Sequence, residues 1–148
     1  MGIEDKSQEI VSFLEGVVGK KYVTTSIFEK IKESVDPFPY HADRENLPVA
    51  VVLPETREQI SEILKYANQE KIPVFVRGSG TQLAGSSRPH TPGIVMNTSR
   101  LTHFEIMEDW GFFESGPGVR VEDAGNMLME KGWFLPIWPG SRVIASMG

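Results

Sequence analysis

The run Val49-Ala50-Val51-Val52-Leu53, halted by Pro54, constrains this chain more than any other feature. Five apolar residues without a polar break suit a strand buried on both faces. Thr56-x-x-Gln59 follows as a capping box, and Ile60, Ile63, Leu64 and Ala67 recur at helical spacing. After Ile72-Pro73 comes a second short apolar strand, Val74-Phe75-Val76. Strand, helix and strand within this length make a βαβ unit with parallel strands. Gly93-Ile94-Val95-Met96-Asn97 reads as a third strand.

The flanks are less regular. Ser7 is placed to cap a helix carrying Ile10, Phe13, Leu14, Val17 and Val18, with Gly19 as its stop. A shorter helix is expected over 26–34, with Ile27, Ile31 and Val35 on one side. Asp36-Pro37-Phe38-Pro39 then breaks regular structure, because proline disfavours helix at the residue before it. Residues 1–46 therefore read as a helical lead-in, and 47–148 as the main domain. Residues 103–108 and 111–115 read as two strands around a turn at Asp109-Trp110, and 119–131 as a helix closed by Gly132. The expected class is α+β: a small parallel sheet with flanking helices, followed by the start of an antiparallel layer.

Composition narrows the function. The formal net charge is −5 with no basic run, so the footprint of a nucleic-acid binder is missing and no such partner is expected. Without cysteine there are no disulfides, thiolate nucleophiles or thiolate metal sites. No leader peptide or spanning segment is visible, and a cytoplasmic location is the default expectation.

A buried strand delivers the chain to Arg77-Gly78-Ser79-Gly80-Thr81-Gln82-Leu83-Ala84-Gly85-Ser86. Glycine tolerates positive φ and admits a ligand close to the backbone. Successive amides in such a turn converge on an anion, and Ser79, Thr81, Ser86 and Ser87 add hydroxyls. Replacing Gly80 by Val is expected to put a side chain where phosphate approaches. Two familiar phosphate loops do not fit. G-x-G-x-x-G requires glycine where Leu83 stands, and the Walker loop requires lysine at Ser86. Residues alone leave open a dinucleotide site, a non-redox nucleotide module, or an interaction segment completed by another chain.

The phrase Pro73-Val-Phe-Val-Arg77-Gly-Ser-Gly-Thr81-x-Leu83-x-Gly85 resembles the pyrophosphate loop of the vanillyl-alcohol oxidase / p-cresol methylhydroxylase flavoproteins. It is most similar to the glycolate oxidase and D-lactate dehydrogenase branch. Pro139-Gly140-Ser141, followed by Ala145-Ser146-Met147-Gly148, resembles that family's second flavin loop. The resemblance implies a PCMH-type FAD-binding domain, with Arg77, Gly78, Ser79, Gly80, Thr81, Gln82, Gly85 and Ser86 at the phosphates. It assigns Pro139, Gly140, Ser141, Ala145, Ser146 and Gly148 to the run along the adenosine toward the flavin. Some relatives attach flavin through a histidine at the position of Thr81, so the resemblance implies non-covalent FAD here. It also implies that 47–148 is the first part of a longer flavin domain, with the substrate domain and catalytic base elsewhere. The implied substrate of the complete protein is a D-2-hydroxy acid such as glycolate or lactate.

Other residues carry less. His41 and Asp43 lack further ligands, so no metal site is expected. Glu122 and Asp123 suit the first turn of a helix rather than catalysis. Arg77 has two readings, direct phosphate contact or support of the loop, and Arg88 reads as solvent-exposed. The apolar tail Trp133, Phe134, Leu135, Ile137 and Trp138 is expected to need a cover, so self-association or a completing chain is anticipated.

Overall fold

The structure, a computed structural model, describes residues 3, 5–37 and 44–148. His41 and Asp43 lie outside the described residues. Six strands and four helices run in the order α1 (Ser7–Val18), β1 (Val23–Thr24), α2 (Ile27–Lys32), β2 (Ala50–Val52), α3 (Arg57–Glu70), β3 (Val74–Arg77), β4 (Ile94–Asn97), β5 (Phe104–Met107), β6 (Phe112–Ser115) and α4 (Val121–Glu130) among those residues.

The first sheet has the order β1-β2-β4-β3. Strands β2, β4 and β3 are parallel, with Val51 opposite Val95 and Phe75 opposite the same residue. The expected βαβ unit is present, but β4 inserts between its two strands. Local pattern marks a strand without naming its neighbour, and β4, buried along its whole length, takes the position with two partners. Antiparallel to β2 lies β1, two residues too short to carry any periodicity.

Alternation at 180° per residue divides the sheet's apolar side chains between two faces. Ala50, Val52, Ile94 and Met96 pack against Ile10, Leu14 and Val18 of α1 and Ile63 and Ala67 of α3. On the opposite face, Val51, Phe75 and Val95 form a smaller cluster. Helix α3 begins as its capping residues dictate: Thr56 Oγ1 accepts from the Gln59 N–H at 3.2 Å. Gln59 Oε1 accepts from the Glu55 N–H at 2.8 Å, one residue earlier than a capping box places it. Leu64, expected on the buried stripe, is 42% exposed, since Ile63 and Ala67 alone face the sheet squarely. Ser7 opens α1 instead of capping it, and Lys6 at the cap donates its side chain to Glu70 at 2.6 Å and not to the helix end. Ile27 and Ile31 of α2 are also exposed, so that short helix has no buried apolar side.

The second layer is the antiparallel hairpin β5–β6, with Phe104 opposite Ser115. Gly111 supplies the left-handed residue that closes its turn after Glu108–Trp110. Helix α4 and the tail pack beside it, joining Val121, Leu128, Leu135 and Ala145 to Phe104, Phe113, Trp133 and Trp138. Among the described residues, no helix is long and apolar enough to cross a membrane.

Candidate functional site

Parallel sheets place their ligand loops beyond the carboxyl ends of the strands. Arg77 ends β3, and the glycine turn leaves the sheet there. The turn is left-handed at Gly80 and Gly85, both at φ +70°. A Cβ at Gly80 would run into the Arg77 guanidinium, and one at Gly78 into Gly148 O and Ser146 Oγ. Both glycines are thus required by protein packed behind the turn. Gly80 faces a buried arginine, which corrects the expectation that a side chain there would block phosphate directly.

The second loop reaches the first across 67 positions. The Ser79 N–H donates to Ser146 Oγ at 3.0 Å, and the Ser146 N–H donates to Ser79 Oγ at 2.9 Å. Ser146 Oγ donates onward to Gly148 O at 2.7 Å. This reciprocal pair staples the two loops. The second loop is itself held on the segment before α4, through Val121 N–H to Ala145 O (2.9 Å) and Met147 N–H to Val119 O (2.8 Å).

Around the staple lie two clefts. One of about 310 Å³ is lined by Val76, residues 78–82, Ser87, Ser146 and Gly148. A larger one of about 630 Å³ shares Ser79 and Ser146 and runs past Phe104, Val119, Met127 and Ile144. A separate depression of about 560 Å³ between α1 and Pro48 has no residue in common with either loop.

In the smaller cleft the donors are of one kind. Among the described residues, the backbone N–H groups of Gly80, Thr81 and Gln82 donate to no protein acceptor. Ser79 and Thr81 add hydroxyls, and no acidic side chain lines the cleft. Unspent amides on a left-handed glycine turn, with neighbouring hydroxyls, suit a phosphate anion. Ser86 Oγ and Ser87 Oγ are turned to Gln82, Ser86 donating to its Oε1 and Ser87 accepting from its Nε2, both at 2.5 Å.

Arg77 is directed inward. It is 7% exposed, and its Nε pairs with Glu33 Oε2 at 3.0 Å. Its Nη2 donates to Val35 O at 2.6 Å and its Nη1 to Ser87 Oγ at 3.4 Å. Of its two readings, support of the loop matches this geometry. Arg88, expected to be exposed, is part-buried and donates from Nε to Ser34 O at 3.3 Å.

Pro139, Gly140 and Ser141 do not line either cleft. Pro139 O and Ser141 O accept from Arg142 N–H and Ala145 N–H, forming the turn that carries Ser146 back to the first loop. Ala145 is buried in the second core. Glu122 and Asp123 are engaged in ion pairs with Arg142 (3.7 Å) and Arg120 (2.8 Å). The Asp123 carboxylate holds the Arg120 proton more tightly than usual, through hydrogen bonding and charge. Among the described residues no group of three or more His, Asp or Glu is placed to hold a metal.

Glu33 and Asn97 escaped the sequence reading. Asn97, a polar residue closing an apolar strand, was the available signal, while nothing local marked Glu33.

Residues 48–148 match the model of the FAD binding domain. The chain belongs to the FAD binding domain family. It is 38% identical over 92 residues to D-lactate dehydrogenase of Archaeoglobus fulgidus, covering 62% of this chain and 21% of that protein. It is 32% identical over 105 residues to glycolate oxidase subunit GlcD of Bacillus subtilis, covering 70% and 22%. Substrate-bound p-cresol methylhydroxylase superposes with a TM-score of 0.77 at 19% identity, over 96% of this chain and 28% of that one. This chain of the FAD binding domain family therefore spans about a fifth of the length of the two curated relatives. Its mixed sheet architecture is that of the PCMH-type fold.

Proposed function

We propose that this chain supplies the pyrophosphate cradle of an FAD-dependent oxidoreductase acting on a D-2-hydroxy acid. The carrying observation is the Ser79–Ser146 staple, which turns two distant loops into one surface beside unspent amides. In this reading Gly78, Ser79, Gly80, Thr81 and Gln82 bind the phosphates, with Gly85 and Ser86 shaping the far side of the turn. Ser146 and Gly148 close the cleft, while Pro139, Gly140, Ser141 and Ala145 position them. Arg77 acts from beneath. The larger apolar cleft receives one end of the extended dinucleotide, since both clefts meet at the staple.

Bound FAD would accept two electrons from the carbinol carbon of the substrate. What this chain contributes is binding and orientation. Backbone donors fixed by the fold need little reordering when the anion arrives, which favours affinity. Thr81 offers a hydroxyl and no nucleophilic ring nitrogen, so FAD is held without a covalent bond at this position. The D-2-hydroxy acid substrate is supported by the names of the relatives, D-lactate dehydrogenase and glycolate oxidase. The division into a lead-in over 1–46 and a flavin-domain portion over 47–148, with the substrate-binding part on other residues, belongs to the same proposal.

Purified protein is titrated with FAD and, separately, with ATP, and binding is followed by flavin fluorescence and calorimetry. Selective FAD binding, with all flavin released on denaturation, is the expected result. Equal affinity for ATP would favour a non-redox nucleotide module. Flavin retained on the denatured chain would refute the non-covalent assignment.

A further inference from the structure

Among the described residues, the buried polar ones are Glu33, Ser34, Arg77, Ser87, Asn97 and Thr98. Five of them, all but Ser34, are joined in one network at the carboxyl ends of β3 and β4, and Ser34 O accepts from Arg88 beside it. Glu33 Oε2 accepts from both Arg77 Nε and Asn97 Nδ2, each at 3.0 Å. Thr98 bonds Arg77 O through its N–H and its hydroxyl, at 2.9 and 3.3 Å. Ser87 Oγ accepts from Arg77 on one side and from Gln82 of the glycine turn on the other. Arg77 also donates to Val35 O just after α2, and its guanidinium fills the space against which Gly80 closes.

We infer that Arg77 is a positioning residue that makes the shape of the phosphate turn depend on the docking of α2. A planar guanidinium with five donors can serve a carboxylate, a carbonyl and a hydroxyl at once, whereas an ammonium on a flexible stem is a single point of charge. Helix α2 has no buried residue of its own, and Phe28 is 80% exposed, so its apolar packing is thin. Its attachment to the sheet passes through Glu33, Ser34 and Val35 to Arg77, Arg88 and Asn97. Loss of that attachment frees the guanidinium, and with it the floor beneath Gly80. The lead-in thus acts on the ligand loop without touching the ligand. This inference rests on the proposed FAD cradle for its functional meaning and on the network alone for its structural one.

The test compares Glu33→Gln, Arg77→Lys and the exposed control Phe28→Ala in the ligand-free and FAD-loaded protein. Glu33→Gln keeps a hydrogen-bond acceptor of the same shape, so folding is retained if Arg77→Lys proves too disruptive. Backbone ¹⁵N order parameters are read at Gly78, Ser79, Gly80, Thr81 and Gln82, together with FAD affinity. The expected outcome is lower order at these amides in both network variants without ligand, and about tenfold weaker FAD binding, within the range usual for coupled sites. Phe28→Ala leaves both unchanged. Thermal destabilisation of Glu33→Gln with unaltered loop order and unaltered FAD affinity would overturn the inference, since the network would then serve stability alone. If the unsubstituted protein binds no FAD, the functional reading fails, while the ligand-free order parameters still decide the coupling.

Discussion

Gly80 shows why a glycine motif has to be understood through what lies behind it. At φ +70° a β-branched residue is strained, and its Cβ meets the Arg77 guanidinium. Gly80→Val should destabilise the fold by roughly 2–5 kcal/mol, combining left-handed strain with overpacking. FAD affinity should fall by at least about tenfold if the turn shifts to relieve 1.4 kcal/mol of that strain. Calorimetric melting and flavin titration measure the two effects separately. Ser146→Ala removes the acceptor of the Ser79 N–H but keeps the return bond into Ser79 Oγ. The staple should weaken by about 1 kcal/mol. Exchange of the Ser79 amide hydrogen should then accelerate about fivefold. Unchanged exchange would mean that one bond suffices. At this scale the amides and hydroxyls were legible as a donor set, because glycine and serine announce their chemistry locally. Glu33 was not legible, because its partner lies 44 positions away.

Helices α3 and α4 were recognisable from spacing and caps, since those signals act within one turn of backbone. Their first turns carry the charge that helix dipoles favour, Glu58 in α3 and Glu122 and Asp123 in α4. Glu58 in the first turn of α3 is held below the usual carboxylate range, first by its own backbone N–H, then by Thr56 and Arg57. A depressed carboxyl contributes stability above its unfolded value, about 4.3, and that contribution disappears as pH falls through the folded value. Glu58→Gln should therefore lower the melting temperature at pH 7, and the difference from the unsubstituted chain should close as the pH drops below about 4. A gap that persists at low pH would assign the effect to packing. Strands were harder. The two-residue β1 has no period to detect, and nothing in β4 says that it lies between β2 and β3. Strand order is decided by which edges gain two partners, a property of the assembled sheet.

At the scale of the fold, the two larger cores among the described residues lie in different layers, with the smaller Val51, Phe75 and Val95 cluster on the other face of the first sheet. The parallel sheet holds the first, with α1 and α3; the hairpin, α4 and the tail hold the second. Leu135 is buried and Trp133 and Trp138 pack on the second core, so the expected exposed tail is only partly exposed. Phe134, Ile137 and Ile144 remain 70, 73 and 63% exposed. Such side chains, if contiguous, exceed what monomers usually leave open. Self-association is accordingly expected to strengthen with concentration in size-exclusion chromatography with light scattering, and Phe134→Ser with Ile137→Ser should reduce it. A monomer at all concentrations would dismiss the patch as an interface. By itself, the order of residues determined the type of the helices and of every strand but β1, the donor chemistry of the turn and the resemblance that pointed to FAD, because propensity, capping and motif spacing are local. Only the tertiary structure decided that Arg77 supports the turn from beneath, that Ser79 meets Ser146, and that β4 occupies the centre of the sheet. Those outcomes depend on burial and on pairing between distant segments, where a guanidinium finds its carboxylate or a strand its second neighbour only once the chain has folded.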